Sequence, residues 1–465
     1  MQTRFFVFLR PNRHLRSTGW LTSISLVLLV SLQACRKDSV EPTEPLGNAT
    51  SQYAADVALK WADLQLKLTR TTAGYTPPVA ARAFGYGSLA LYEAVVPGMA
   101  DHQSLAGQLQ GLQTLPTPAP NRTYNWAISA NAAEATILRN LFPTTSATNK
   151  ALIDSLENAL RLEFKATDDS VNVRSAAFGQ AVALALFDWS KTDGGHEGYT
   201  RNFPASYLVP TGAGMWQPTE NGQQIPMQPY WGKNRTFLAA NHALAMPKPL
   251  PFSTDTRSAT FAQYKAVYDK SKVLTQTEKE IALWWSDNPG ETFTPPGHSY
   301  NIARIAIKTA GADLAKAAET LARTGIAVSD AFVLCWRCKY TYNLMRPYTY
   351  VRLAIDPTWV PFWPAPPFPS YSSGHATQSS AAAAVLTDLY GPKFFFTDDS
   401  HVGRAADTKR NVEFKVRTFG SFAEAAQESA DSRFFGAIHT KQDNETGLAE
   451  GKKIGANVNA LAWKK

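Results

Sequence analysis

Three cysteines in 465 residues are too few for a zinc site or a disulfide-built scaffold. One, Cys35, ends an N-terminal apolar segment; the other two, Cys335 and Cys338, stand three apart. In an oxidising compartment that pair can close a local disulfide, and on a helix it can equally remain two buried thiols. No βαβ pattern surrounds it, which argues against a thioredoxin-like role. Beyond the first 34 residues no stretch reaches the ~18 consecutive apolar residues of a membrane span, so a multi-span architecture is excluded. Nor is there a basic run interleaved with aromatics. Without Arg4, Arg10, Arg13 and Arg16 the basic count falls from 46 to 42 against 38 acidic residues, and the net charge from +8 to about +4. That balance gives no nucleic-acid footprint.

The N-terminus reads as an address. Those four arginines form a basic region, Trp20 to Leu32 is mostly apolar, and no acid appears before Cys35, the pattern of an export signal over residues 1–34. It ends in Leu32-Gln33-Ala34-Cys35, which resembles a lipobox. The expectation is an exported cell-envelope lipoprotein, lipidated at Cys35 and held to the membrane by that lipid alone. Residues 35–50, polar and proline-bearing, read as a tether.

The remainder reads as nearly all helix. Tyr53, Val57, Trp61, Leu64 and Leu68 recur at helical spacing, a core stripe. Helices are also expected over 79–96, 127–141, 147–164 and 170–189, with the proline-rich stretch Pro116 to Pro120 as a linker. From Asp193 to about Pro251 glycine, proline, asparagine and aromatics replace periodicity, predicting a long ordered loop that covers or shapes a site. Thr275-Gln276-Thr277-Glu278 resembles a capping box. Helices over 300–323, 327–344, 375–389 and 422–450 complete an all-α chain of two packed bundles, divided as residues 51–250 and 251–465.

The chemistry sits in the last third. Lys339, Arg346-Pro347, Ser373-Gly374-His375, Ser432-Arg433, His439 and Asp443 are what a tetrahedral oxyanion needs. Ser373-Gly374-His375 precedes an alanine-rich helical run, so the backbone N–H groups of that helix start would face an anion, with Gly374 permitting close approach. Lys339 is a point charge, while Arg346 and Arg433 are planar forks that grip two oxygens at once. His439 and Asp443, four apart, share a face if both are helical. The carboxylate could then hold one imidazole nitrogen and leave the other as nucleophile or metal ligand. His375 is placed as proton donor or acceptor.

Lysine, six residues, Arg-Pro, then Ser-Gly-His, then Ser-Arg, five residues, histidine, three residues, aspartate resembles the signature shared by type 2 phosphatidic acid phosphatases, bacterial acid phosphatases and vanadium-dependent haloperoxidases. Trp336 and Phe368 resemble the aromatic wall of the haloperoxidase branch, and the roughly 300 residues before the first motif exceed what a small acid phosphatase needs. The resemblance implies a vanadate cofactor held by Lys339, Arg346, Ser373, Gly374 and Arg433, with His439 as the ligand to vanadium, Asp443 orienting it and His375 moving protons. Hydrogen peroxide would oxidise halide to hypohalous acid, with an organic acceptor left open. It also implies that Asp287 pairs with a site cation. Phe368 stands where bromide-preferring relatives often have histidine, which leans toward iodide or chloride. The competing readings are an acid phosphatase working through a phosphohistidine on His439, and a non-catalytic surface lipoprotein that keeps the pocket. His298 and His401 are assigned structural roles.

Overall fold

The computed structural model describes residues 47–220 and 222–465. The expected export signal, the lipidated Cys35 and most of the tether lie outside the described residues. Thr50, at the tether's expected end, is buried, its hydroxyl donating to the Val95 carbonyl at 2.8 Å.

Fourteen α-helices and one two-stranded antiparallel ribbon are found among the described residues. The first five are α1 (Asp56–Thr71), α2 (Pro77–Val95), α3 (Trp126–Leu141), α4 (Ala147–Glu163) and α5 (Asp169–Ser190), within a few residues of expectation. Starts follow the capping chemistry: Asn125, Ser146 and Asp168 each accept an N–H of the first turn, and prolines occupy the first turn of α2. Among its described residues, the stretch expected as a long loop carries only short 3-10 turns and the four-residue α6 (Ala239–His242).

Further along come α7 (Ala259–Lys272), α8 (Gln276–Trp284), α9 (Thr294–Ala310), α10 (Leu314–Tyr342), α11 (Pro347–Ala354) and α12 (Gly374–Tyr390). The expected capping box at Thr275 and Glu278 starts α8. One helix expected over 300–323 is interrupted, because Gly311 adopts a left-handed conformation that ends α9, and Asp313 caps α10. Then follow β1 (Phe396–Asp398), β2 (Arg417–Phe419), α13 (Phe422–Phe435) and α14 (Lys441–Asn459). The helix expected over 422–450 is likewise two: Ala437 takes φ +58° and Thr440 caps α14. His439 therefore stands in the turn before α14, not on a helix with Asp443.

The main apolar core runs from α1, α2 and α3 through α9 and α10 to α12, with three smaller clusters beside it. The 29-residue α10 is its axis, and both α2 and α12 pack on it. α12 and α14 approach backbone to backbone across Gly447, Gly451 and Gly455. A Cβ at Gly451 would lie 2.1 Å from the Thr377 carbonyl oxygen. This close packing carries the start of α12 to the start of α14, where the Ser373 N–H donates to the Asp443 carbonyl at 3.0 Å. No helix among the described residues is long and apolar enough to cross a membrane.

Candidate oxyanion site

The residues singled out from the sequence come together where α10, α12, the turn before α14 and the end of α13 meet. Lys339 sits on the last turns of α10, Arg346 is the N-cap of α11, and Ser373, Gly374 and His375 open α12. Arg433 lies on α13, and Asp443 is the third residue of α14. Lys339, Arg346, Arg433, His439 and Asp443 are all buried.

Each cation is held by main-chain oxygen. Lys339 Nζ donates to the carbonyls of Pro369 (3.0 Å), Ser370 (2.8 Å) and Ser372 (2.6 Å). Arg346 donates to Phe368 and Ile438 (both 2.9 Å) and, through Nη1, to His439 Nε2 (3.1 Å). Arg433 donates from Nη1 to the Trp285 carbonyl at 3.1 Å, while its buried Nε has no partner. Among the described residues none of the three has a carboxylate within ion-pair range, the site's histidine–aspartate pairs being His439–Asp443 and those of Asp287. Burial lowers Lys339 to about 8, Arg346 to about 9 and Arg433 to about 10, so all three remain charged at neutral pH.

The histidine at the turn has a defined tautomer. Its Nδ1–H donates to Asp443 Oδ2 at 2.9 Å, and Nε2 accepts from Arg346, so Nε2 carries the lone pair. Burial, then Arg346, Lys339 and Arg433, hold His439 well below the usual imidazole range. Asp443 is fixed by Ser370 Oγ at 2.5 Å and by the Thr440 N–H at 3.3 Å, in a capping box with Thr440. Burial pushes the carboxyl up, opposed by Ser370, Lys339, Thr440 and Arg346. His375 keeps partial exposure, yet its Nε2 is shut off from solvent and has no partner. Burial and Arg433 depress it, while Asp287 pulls the other way.

The start of α12 leaves amides without acceptors among the described residues. Ser373 Oγ reaches the Ala376 N–H at 3.5 Å, and the amides of Gly374 and His375 find no acceptor among the described residues. Trp336 and Phe368 form a wall, their ring centroids 5.0 Å apart; Phe368 lies 5.1 Å from Lys339 Nζ and 4.9 Å from the Arg346 guanidinium carbon. The Trp336 indole N–H donates to the Met227 carbonyl at 3.3 Å, and Gly232 lies against the Arg337 backbone. The 193–251 stretch thus braces the helix that carries Lys339.

Asp287 departs from expectation. It is buried, and its two oxygens serve His298 Nδ1 (2.8 Å) and His401 Nε2 (2.9 Å) instead of an arginine. The reason is geometric: a left-handed backbone at Asp287 (φ +48°) follows the end of α8 and turns the carboxylate toward α9. Its charge still opposes the effect of burial on Arg433. His298 bonds Asp398 Oδ2 through its other nitrogen at 2.8 Å. Three ligand-type atoms of Asp287, His298 and His401 lie within 4.8 Å of one another. Sequence reasoning missed this cluster; the only cues were Asp398 and His401 three apart and Asp287 in the Trp-Trp-Ser-Asp stretch. Cys335 and Cys338 are free, buried thiols.

The fold is mostly helical, and the buried cations and histidines of the sequence motifs converge at one place in it. Residues 319–464 match the family described as the VCPO second helical-bundle domain. A bacterial vanadium-dependent iodoperoxidase of solved structure is 31% identical, with a TM-score of 0.78 over 89% of this chain and 97% of that one. A holo-type bacterial vanadium-dependent chloroperoxidase shares the fold at 15% identity and TM-score 0.62, over 84% of this chain and 92% of that chain. The vanadium chloroperoxidase of Curvularia inaequalis is 24% identical over 84% of this chain and 80% of its own length. The chain belongs to the vanadium-dependent haloperoxidase family.

Proposed function

We propose that this protein binds vanadate and uses hydrogen peroxide to oxidise halide to hypohalous acid. The observation that carries the reading is three buried cations with no carboxylate in ion-pair range among the described residues, facing a helix start with free amides. Uncompensated buried charge is costly, and a multiply charged oxyanion supplies the missing counter-charge. The orphaned Arg433 Nε and the amides of Gly374 and His375 are donors that vanadate oxygens would require, and His375 Nε2 is a ring nitrogen left without a partner beside them.

Lys339, Arg346, Arg433, Ser373 and the Gly374 amide would hold the oxygens, and His439 Nε2, the nitrogen with the lone pair, would be the ligand to vanadium. Bound vanadate supplies a Lewis-acidic centre at which peroxide becomes electrophilic toward halide. The residues' own work is electrostatic: fixed cations withdraw charge from the bound group without reorganising. Asp443 keeps the Nδ1 proton in place, so the lone pair stays on Nε2. His375, unprotonated because burial and Arg433 depress it, takes and returns protons through the ring nitrogen that has no partner. Trp336 and Phe368 limit water beside the cations, and the 31% identity with an iodoperoxidase makes iodide the first halide to test.

Phosphate demands the same geometry, and His439 Nε2 would serve equally as a phosphohistidine nucleophile with His375 as acid. The aromatic wall over Lys339 and Arg346 favours the peroxidase. Iodide and bromide oxidation should be assayed with hydrogen peroxide, on soluble protein from Arg36 onward, with and without orthovanadate. Vanadate-dependent turnover is the expected outcome. Silence in folded protein, with phosphate-ester hydrolysis that His439→Ala removes, would replace the reading with the phosphatase.

A further inference from the structure

Next to the oxyanion site, and separate from its motif residues, lies a cluster of buried charge. His298 on α9 stands between Asp287 and Asp398, with both ring nitrogens 2.8 Å from a carboxylate oxygen. His401 takes the other oxygen of Asp287 at 2.9 Å. The Trp285 ring stacks on His298, centroids 4.3 Å apart at 18°, and the Trp284 indole N–H donates to Asp398 at 2.8 Å. The segment from Trp284 to Asp287 is therefore pinned at three places, and it is this segment that meets the oxyanion site. The Trp285 carbonyl accepts from Arg433 at 3.1 Å, and the Trp285 carbonyl and the Asp287 charge both oppose the depression of His375, the Asp287 charge acting on Arg433 as well.

We propose that His298, clamped between Asp287 and Asp398, is a positioning residue for the oxyanion site, fixing the Trp285 carbonyl and the Asp287 carboxylate against Arg433 and His375. The proposal rests on the anion-binding reading above and deepens it. Two carboxylates at hydrogen-bond distance require both His298 nitrogens to carry hydrogen. Burial works against that cation, but Asp287 and Asp398 outweigh it and raise the ring to about 10. The same use of both nitrogens argues for an ion cluster over a metal centre, since a metal would displace the proton between His298 and Asp287.

The test is a double-mutant cycle on orthovanadate binding by calorimetry, comparing wild type, Asp398→Asn, Arg433→Ala and the double variant. His298→Gln serves as a second probe should Asp398→Asn fold poorly. Groups that position a ligand from behind typically cost on the order of 10–100-fold in affinity. The expected result is a loss of about tenfold for Asp398→Asn that shrinks in the Arg433→Ala background, because the clamp acts in part through Arg433. An equal loss in both backgrounds, or none, overturns the proposal. So does stoichiometric Zn2+ uptake that His298→Gln abolishes. Wild-type protein that binds no vanadate overturns the functional reading instead. In that case the His375 ring titration, followed by NMR, decides the positioning role: a shift in Asp398→Asn supports it, and an unchanged titration overturns it.

Discussion

His439 on Asp443 and His298 between Asp287 and Asp398 are built from the same groups at nearly the same distances, 2.9 Å and 2.8 Å, yet they carry different charge. Both are buried. Around His439 the neighbours are Arg346, Lys339 and Arg433, which add to burial and keep the ring neutral. Around His298 they are two carboxylates that outweigh burial and hold it cationic, at about 10. The contrast teaches that a His–Asp hydrogen bond has no fixed chemical meaning. What decides is the sign of the second neighbour: one arrangement yields a lone pair, the other a counter-ion.

The largest break comes at the lone pair. His439→Ala should abolish vanadate retention, measured as vanadium remaining after dialysis, and lower peroxide-dependent iodide oxidation by at least ~10²–10⁴-fold. A variant with unaffected activity would sink the scheme. The carboxylates should then separate the two histidines by readout. Asp443→Asn lets the amide present N–H toward His439 and favour the other tautomer, so vanadate affinity should fall ~10–100-fold. Asp287→Asn instead leaves cationic His298 one carboxylate short in the interior. Breaking such a buried pair costs about 3–5 kcal/mol, visible in chemical denaturation.

Acidity sharpens the comparison further. Burial lowers Lys339 to about 8, so anion affinity should fall as pH rises through about 8, followed by phosphate titration between pH 6 and 10. His298 behaves as a stability group. Its folded pKa of about 10 exceeds the ordinary ~6.5, so its contribution is full below ~6.5 and is lost as pH rises through about 10. Asp398 runs the other way. Burial alone would raise it, but His298 leads the groups that depress it to about 2, so its contribution is present above the ordinary ~3.9 and lost as pH falls toward 2. Denaturation midpoints across pH should therefore decline on both sides, and Asp398→Asn should weaken the acid arm, to which Asp287, also depressed against burial by His298 and His401, still contributes. A midpoint profile that the substitution leaves unchanged would mean that the cluster is uncharged.

Which of these features could be read from the chain follows from how each is built. Lys339, Arg346, the Ser373–His375 block, Arg433 and His439 were legible because each block carries its chemistry within a few residues, on one helix end or turn. The helices were legible from apolar spacing and caps such as Thr275. The interruptions before Asp313 and His439 were not, because each rests on one residue in a left-handed conformation, Gly311 or Ala437, in an otherwise helical composition. The close approach of α12 and α14 needs both helices before the spacing of Gly447, Gly451 and Gly455 acquires meaning. His298 and Asp398, a hundred residues apart, carry no local sign of each other. Asp287 was legible as an acid near the cations, but its histidine partners were not.

The smallest effect is expected from Thr440→Ala, and it asks how each histidine's carboxylate is aimed. Asp398 is held by side chains, the Trp284 indole and the Ser400 hydroxyl, and through the Ser400 N–H. Asp443 is aimed largely by helix geometry: its N–H donates to Thr440 Oγ1 at 3.3 Å while Oδ2 accepts from the Thr440 N–H at 3.3 Å. Removing the threonine hydroxyl deletes one half of that box and should cost about 1 kcal/mol of stability. Ser370 Oγ, at 2.5 Å from Oδ2, remains to orient the carboxylate, so vanadate affinity should change by less than about threefold, below the range for direct orienting partners. A tenfold loss of affinity in Thr440→Ala, with Ser370→Ala nearly silent, would mean that the helix cap and not the serine sets the imidazole, and that His439 depends on backbone geometry where His298 depends on charge.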